Sequence, residues 1–171
     1  MLSIRPATIA DLPEVAEIYR HYVINSTATF DLEPLSVDGW ERKLQSIVDG
    51  GRPFLVLVDE AEGVREILGY AYLGVFRGRA GWAFTAEDSI YLRPDAGGRG
   101  LGTRLLSALL DAVDPSVTRN IMAMVSDEVP ESVALHQKLG FVEVGRSAGV
   151  GRKFDRWVGC VYLQFVVPVT K

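Results

Sequence analysis

A glycine-rich loop near the middle of the chain joins a short apolar strand, predicted over residues 89–92, to an amphipathic helix that begins at Leu101. The loop glycines are Gly97, Gly98, Gly100 and Gly102. Glycine lets backbone amides approach a ligand, and the first N–H groups of a helix lack an intrahelical partner and carry its positive end. The junction therefore predicts a seat for a pyrophosphate. Three arginines add positive charge around it: Arg93, Arg99 and Arg104.

Two well-known phosphate loops do not fit this pattern. A Walker A loop ends in Gly-Lys-Ser/Thr, whereas Gly102 is followed here by Thr103 and Arg104. A dinucleotide fingerprint needs G-x-G-x-x-G at the start of a βαβ unit, and both the spacing and the mid-chain place are wrong. The remaining pattern is x-x-G-x-G at a strand–helix junction. The loop alone leaves open the alternative of a glycine turn with solvated arginines.

The composition describes a globular chain. Its 171 residues suffice for one domain, 1–171, and 48% hydrophobic against 23% charged residues argues against disorder. A net charge of −4 argues against general nucleic-acid binding. No apolar run approaches a membrane span, and residues 1–6 lack the apolar core of a signal peptide. Cys160 is the only cysteine and lies in an apolar run, so we expect a buried small side chain rather than a nucleophile or metal ligand. A cytoplasmic enzyme or binding domain without a metal is expected.

Hydrophobic periodicity predicts a mixed α/β domain. Two helices are predicted to begin after the capping residues Thr8 and Ser36. Two more are predicted from Leu101 to Val113 and over 131–139, and Gly140 ends the last of them. Strands are predicted over 2–5, 54–58, 67–75, 89–92, 121–125, 141–145 and 157–167. A turn over 59–63 makes the second and third strands an antiparallel hairpin.

Four further stretches, taken in order, point to one family. They are the Ser-Thr…Phe…Glu-Pro loop at 26–34, the Thr-Ala-Glu strand within 82–92, the Leu-His-x-x-Leu-Gly-Phe helix end at 135–141, and the Gly-x-x-x-Lys-Phe-x-x-Trp loop at 149–157. With them the chain resembles the GCN5-related N-acetyltransferases (GNAT), and more narrowly the phosphinothricin and methionine sulfoximine N-acetyltransferase group. The resemblance implies a single GNAT domain with a mixed, largely antiparallel sheet of about seven strands flanked by helices. It also implies acetyl-CoA as co-substrate and a homodimer.

Two positions depart from the family pattern. The family loop normally begins with Gln or Arg, where this chain has Gly97, so a side chain that spans the loop is missing. The family usually has Asn where this chain has Val129, so a coenzyme contact is lost or is replaced, for example by Ser132. Both departures predict weaker coenzyme affinity but leave the chemistry intact.

The resemblance implies a coenzyme that lies along the glycine-loop strand like an added strand. Its predicted contacts are Ile90, Tyr91, Leu92, Gly98, Arg99, Gly100, Leu101, Gly102, Thr103, Ser132 and His136. A bulge near Tyr91 and Leu92 is expected to turn the Leu92 N–H toward the thioester oxygen, where negative charge builds up.

Acetyl transfer requires the acceptor ammonium to lose a proton, and Glu87 is the predicted general base because of its place in the Thr-Ala-Glu strand. Partial burial should raise its pKa, and Asp88 should point to the opposite face of the strand. His136 stands where many relatives have a tyrosine that protonates the leaving thiolate. A histidine packed there without a catalytic role is the open alternative.

The resemblance places the acceptor among Phe30, Arg77, Arg79, Gly81, Trp82, Glu87 and Lys153. Arg77 and Arg79 would hold a substrate carboxylate through paired hydrogen bonds, unless they form only a solvated hairpin tip. Trp82 and Trp157 are expected in the core or at a dimer interface. The last strand, with its apolar residues on one face, fits a sheet core or a subunit contact.

The resulting function is an acetyl-CoA-dependent N-acetyltransferase. It would act on a small amino-acid-like amine of the phosphinothricin or methionine sulfoximine type, by direct attack in a ternary complex. A different small amine is the fallback acceptor. A non-catalytic acyl-CoA-binding sensor is the rival from another class, and a nucleotide hydrolase that uses the same loop is a third alternative.

Overall fold

In the computed structural model, which describes residues 1–61 and 63–168, seven strands form one sheet flanked by four α-helices. The elements are β1 Leu2–Pro6, α1 Leu12–Asn25, α2 Val37–Asp49, β2 Phe54–Ala61, β3 Val64–Val75, β4 Thr85–Leu92, α3 Leu101–Asp111, β5 Asn120–Ser126, α4 Pro130–Lys138, β6 Val142–Lys153 and β7 Arg156–Val166. The predicted α/β class is confirmed.

The strands follow the order β1-β2-β3-β4-β5-β7-β6, and every neighbouring pair is antiparallel except β4 and β5. Those two strands run parallel and pair only where Thr85 to Glu87 meet Asn120 to Met122. Beyond Glu87 no pairing between them is found in the described chain, so a wedge opens between β4 and β5. The wedge is the feature that positions the site.

Each face of the sheet carries its own apolar core. Helices α1 and α2 cover one face, where Trp40 and Tyr70 are fully buried, and α3 and α4 cover the other, where Leu105 and Ile121 are fully buried. Successive side chains of β4 point to opposite faces of the sheet. Ala86 packs in the core under α3 and α4, and Tyr91 packs against the core under α1 and α2. Glu87 therefore faces α1 and α2, whereas Asp88 faces α3 and α4, as predicted.

The predicted helix starts match the structure closely. The Thr8 N–H and hydroxyl both donate to the Asp11 carboxylate, at 2.8 and 2.9 Å, across a 3₁₀ turn that leads into α1. The Ser36 hydroxyl oxygen accepts the Gly39 N–H at 3.2 Å and caps α2. Gly140, at φ +94°, follows the end of α4, as expected for a residue that ends a helix.

Several strands extend beyond their predicted bounds. β4 begins at Thr85 rather than residue 89, and β6 runs on to Lys153 rather than ending at 145. The predicted turn over 59–63 is shorter, since β2 reaches Ala61 and β3 begins at Val64; Glu62 lies outside the described residues, as do 169–171. The antiparallel hairpin of β2 and β3 is confirmed.

The last strand belongs to the core. Val161 and Leu163 are fully buried, and Val167 is nearly so, which decides in favour of the sheet-core interpretation. Trp82 and Trp157 are exposed, which excludes the core interpretation and leaves a place at a dimer interface as a prediction. Cys160 is buried, as predicted, and forms no disulfide.

Candidate active site

The backbone of β4 presents free polar groups to the wedge. The Arg93 N–H donates to the Leu68 carbonyl at 2.8 Å, toward β3, so alternation turns the Leu92 amide away from β3 and into the wedge. The Leu92 carbonyl accepts the Tyr22 hydroxyl at 2.7 Å, which fits this orientation. The β3–β4 register runs without a shift from Gly69↔Leu92 to Val75↔Ala86, so the expected bulge at residues 91 and 92 is wrong. The strand's ordinary alternation, not a bulge, aims the amide.

The glycine loop has open amides at the start of α3. Gly98 and Gly100 adopt φ of +74° and +71°, and a Cβ at either position would meet no atom within 4 Å. The Arg104 N–H makes the first bond of the helix, to the Gly100 carbonyl at 3.2 Å. No acceptor within the described residues takes the N–H groups of residues 97–103. These amides are available to an anion, as the sequence predicts.

The charge around the loop is smaller than three free arginines would give. Arg93 is bound by Asp95 at 2.6 Å and Glu66 at 3.2 Å. Arg99 and Arg104 are exposed and make no ion pair with the described residues.

A cavity of about 520 Å³ occupies the wedge and reaches the first turn of α3. The predicted site residues that line it are Phe30, Glu87, Ile90, Tyr91, Leu92, Gly102, Ser132 and His136. Val129, the departure from the family pattern, lines it as well. The structure thus brings the candidate base, the strand backbone and the helix N-terminus to one cavity.

Glu87 is half-buried on the wall of this cavity. Desolvation is the largest influence on its carboxylate, and the neighbouring Asp88 charge acts in the same direction, while Lys43 acts against both. Together they raise the pKa of Glu87 to about 7. A carboxylate with this pKa is close to half ionised at neutral pH, which suits a group that accepts a proton and later returns it.

His136 and Asp88 form a buried pair that motif reasoning does not reveal. The His136 Nε2 lies 2.8 Å from an Asp88 carboxylate oxygen, and its Nδ1 donates to the Ser132 carbonyl at 2.7 Å. Burial alone would lower the pKa of His136, but the Asp88 charge and both hydrogen bonds act against it, and the pKa is raised. Both ring nitrogens are thus occupied, which favours the interpretation of a packed, non-catalytic histidine.

The segment between α1 and α2 lines one side of the cavity. The Tyr19 hydroxyl donates to Asp31 at 2.6 Å and lies 2.9 Å from the Thr29 hydroxyl. Phe30 packs so closely on Gly151 of β6 that a Cβ there would lie 2.3 Å from the ring.

Lys153 does not line the cavity. It is buried, and its ammonium donates to the backbone carbonyls of Thr29 at 2.7 Å and Tyr22 at 3.4 Å. In this arrangement it fixes the α1–α2 segment rather than contacting a substrate.

The predicted carboxylate ligands lie apart from Glu87. Arg77, Arg79, Gly81 and Trp82 are exposed in the connection between β3 and β4 and do not line this cavity. The Arg77 guanidinium instead lies over the Trp82 ring, at 5.4 Å from its centroid. Their role in binding an acceptor stays a prediction. In contrast, Lys43 lines the cavity beside Glu87, and no sequence motif marks it.

The described residues contain neither a metal-binding cluster nor a membrane-spanning helix. No group of three or more His, Cys, Asp or Glu side chains is placed to hold a metal ion. No helix among them is long and apolar enough to cross a membrane.

Comparison with known proteins settles the family. Residues 14–141 match the model of the acetyltransferase (GNAT) family. The chain belongs to this family. A phosphinothricin N-acetyltransferase of Alcaligenes faecalis is 38% identical over 155 residues, 90% of this chain and 77% of that protein. An L-methionine sulfoximine/L-methionine sulfone acetyltransferase of Pseudomonas paraeruginosa is 35% identical over 99% of this chain and 96% of its own.

A solved structure supports the same assignment. The phosphinothricin acetyltransferase of Sinorhizobium meliloti, in complex with acetyl-CoA, superposes with a TM-score of 0.90 at 37% identity, over 97% of this chain and 88% of that one. The predicted GNAT fold, the narrower resemblance and the N-acetyltransferase class are therefore confirmed.

Proposed function

We propose that this GNAT enzyme transfers the acetyl group of acetyl-CoA to the amine of a small amino-acid-like acceptor, by direct attack in a ternary complex. One observation carries the proposal: Glu87, with a pKa of about 7, lines a cavity that continues to the open amides of α3. Relatives named for phosphinothricin and methionine sulfoximine, and one from Escherichia coli named for L-amino acids, support the acceptor class.

The coenzyme would lie in the wedge between β4 and β5. Its diphosphate would accept hydrogen bonds from the N–H groups of residues 98–103. Its pantetheine arm would pair with the part of the β4 backbone that β5 leaves unpaired. The Leu92 N–H would then donate to the thioester oxygen as charge builds up on it. One such donor contributes about 3 kcal/mol in other enzymes.

The chemistry follows from these positions. Glu87 takes a proton from the acceptor ammonium, directly or through one water, because only the free amine is nucleophilic. The amine nitrogen bonds to the thioester carbon, its second proton passes to solvent, the C–S bond breaks, and the coenzyme leaves as a thiolate. Since both His136 nitrogens are engaged, we assign to His136 the positioning of Asp88 and the α4 wall, and to solvent the proton that the thiolate takes.

The assembly and compartment are proposals of the same kind. We place the enzyme in the cytoplasm and expect a homodimer. Exposed apolar side chains on the β6–β7 hairpin support a dimer, namely Val142, Val144 and Trp157.

The decisive experiment is release of free thiol from acetyl-CoA with purified protein. The panel includes phosphinothricin, methionine sulfoximine, methionine sulfone, proteinogenic amino acids and simple alkylamines. Thiol release that depends on an amino acid supports the proposal. Coenzyme binding without thiol release from any amine would favour the rival sensor function instead.

A further inference from the structure

A second cavity, of about 450 Å³, lies on the α2 side of β4. Its lining comes from α2, the residues after it, and the ends of β3 and β4 that pair as Tyr72↔Ser89 and Gly74↔Glu87. Four side chains line both this cavity and the wedge, namely Lys43, Tyr72, Glu87 and Ser89. The candidate base therefore stands at the boundary between the two cavities.

The second cavity carries an excess of positive charge. Arg42, Lys43 and Arg52 contribute three cations to its lining, whereas Glu87 is the one acid that the described residues contribute. Within the described residues none of these cations forms an ion pair. Arg52 donates to the Ala83 carbonyl at 2.8 Å, and its Nε is buried with no hydrogen-bond partner in the part of the chain that the structure describes. A cavity lined by cations that lack counter-ions favours an anionic ligand group.

Lys43 is the cation held most firmly toward Glu87. Its ammonium donates to the Tyr72 hydroxyl at 2.9 Å and lies 5.0 Å and 4.9 Å from the ring centroids of Trp40 and Tyr72. An ammonium has three N–H donors, and the Tyr72 hydroxyl takes one of them. The side chain is thus fixed in place while donors remain for a ligand.

We propose that the second cavity binds an acid group of the acceptor, with Lys43 as its main ligand and Arg42 and Arg52 adding positive charge. A carboxylate or phosphinate there would leave the acceptor amine at Glu87, on the shared boundary. This inference rests on the proposed function, because it assumes that an amine reacts at Glu87. It gives the acid group a place on α2 that differs from the predicted arginines of the β3–β4 connection.

The test measures KM and kcat by thiol release at pH 9. At this pH Glu87 is ionised whether or not the Lys43 ammonium is present, so removing Lys43 does not change the charge of the base. Three acceptors are compared: methionine sulfone, its α-carboxamide, and phosphinothricin, which adds a side-chain acid. Lys43→Met should raise KM for the acceptor whose acid it binds by about tenfold or more, the effect of losing a charged hydrogen bond. The carboxamide should keep its KM within about twofold, by the same reasoning.

The pattern across acceptors identifies the acid. A rise for methionine sulfone and phosphinothricin together assigns the α-carboxylate, and a rise for phosphinothricin alone assigns the side-chain acid. Lys43→Arg should restore most of the affinity. Arg20→Met, which removes an exposed cation from α1, is the matched control and should leave all three KM values unchanged.

Two results would overturn the inference. One is an equal KM rise for the carboxamide; the other is no KM rise for any acceptor, and a KM rise for the acids in Arg77→Ala would then assign the acid group to the β3–β4 connection. Failure of the proposed function is a different result, since the wild-type protein would then release no thiol with any acceptor.

Discussion

Glu87→Gln gives the sharpest test of the reaction, because the raised pKa of Glu87 sets the shape of the pH profile as well as the rate. The substitution keeps the size of the side chain but removes the proton acceptor. General bases contribute about 10²- to 10⁴-fold, so kcat should fall by a factor in that range while the Kd for acetyl-CoA changes little.

The pH dependence follows from the pKa of about 7. In the wild type kcat/KM should fall about tenfold per pH unit below this value, since the ionised fraction of Glu87 is about one tenth at pH 6. An ordinary glutamate would remain almost fully ionised there. In Glu87→Gln this limb should disappear, and the residual rate should rise with pH up to the pKa of the acceptor amine, because only free amine reacts.

The measurement is initial-rate thiol release between pH 5.5 and 9.5, with the coenzyme Kd taken by calorimetry. Glu41→Gln, which removes an exposed carboxylate from α2, serves as the matched control and should retain the wild-type profile. A Glu87→Gln enzyme that keeps both its rate and the limb near pH 7 would refute the reasoning.

Two further outcomes are expected. Gly100→Val forces a β-branched residue to φ +71° and covers the amides, so the Kd for acetyl-CoA should rise at least about tenfold by calorimetry, while Gly97→Ala, at φ −65° in open space, should leave it unchanged. Equal Kd values for the two variants would show that the diphosphate binds elsewhere. His136→Leu leaves the buried Asp88 carboxylate without its partner and should lower the unfolding free energy by about 3–5 kcal/mol in urea titrations, with Asp88→Asn recovering part of the loss. Because the pKa of His136 is raised, its contribution should be full in acid and decline as pH rises through that pKa; a loss independent of pH would contradict the charged pair.

The predicted strands match the structure where apolar residues alternate along the sequence, and they miss it where no such alternation exists. Val161 and Leu163 mark β7 clearly, because one face of that strand is buried. The second half of β6, from 146 to 153, is rich in glycine and charge and is mostly exposed, so no alternation shows it to be a strand. Its turn is also hidden, since Phe154 and Asp155 take positive φ of 50° and 57° where glycine or asparagine is usual.

The site residues, too, are predictable only where the local sequence determines their role. Glu87 and the glycine loop are predictable because their chemistry depends on neighbours in sequence. The partner of His136 lies 48 residues away, and only the packing of α4 against the sheet brings the two together. Lys153 lies in a recognisable motif, yet burial directs its ammonium to backbone carbonyls. Lys43 has no motif at all, and its place beside Glu87 depends on how α2 crosses the sheet.

The position of β7 has a consequence for biosynthesis. It lies between β5 and β6 in the sheet although it follows both in sequence. Strands β1 to β4 lie side by side in chain order and can pair as they leave the ribosome, whereas β5 and β6 have no shared partner until residues 156–166 emerge. A nascent or prematurely terminated chain would therefore expose two unpaired strand edges, the condition under which chaperone capture and aggregation compete with folding.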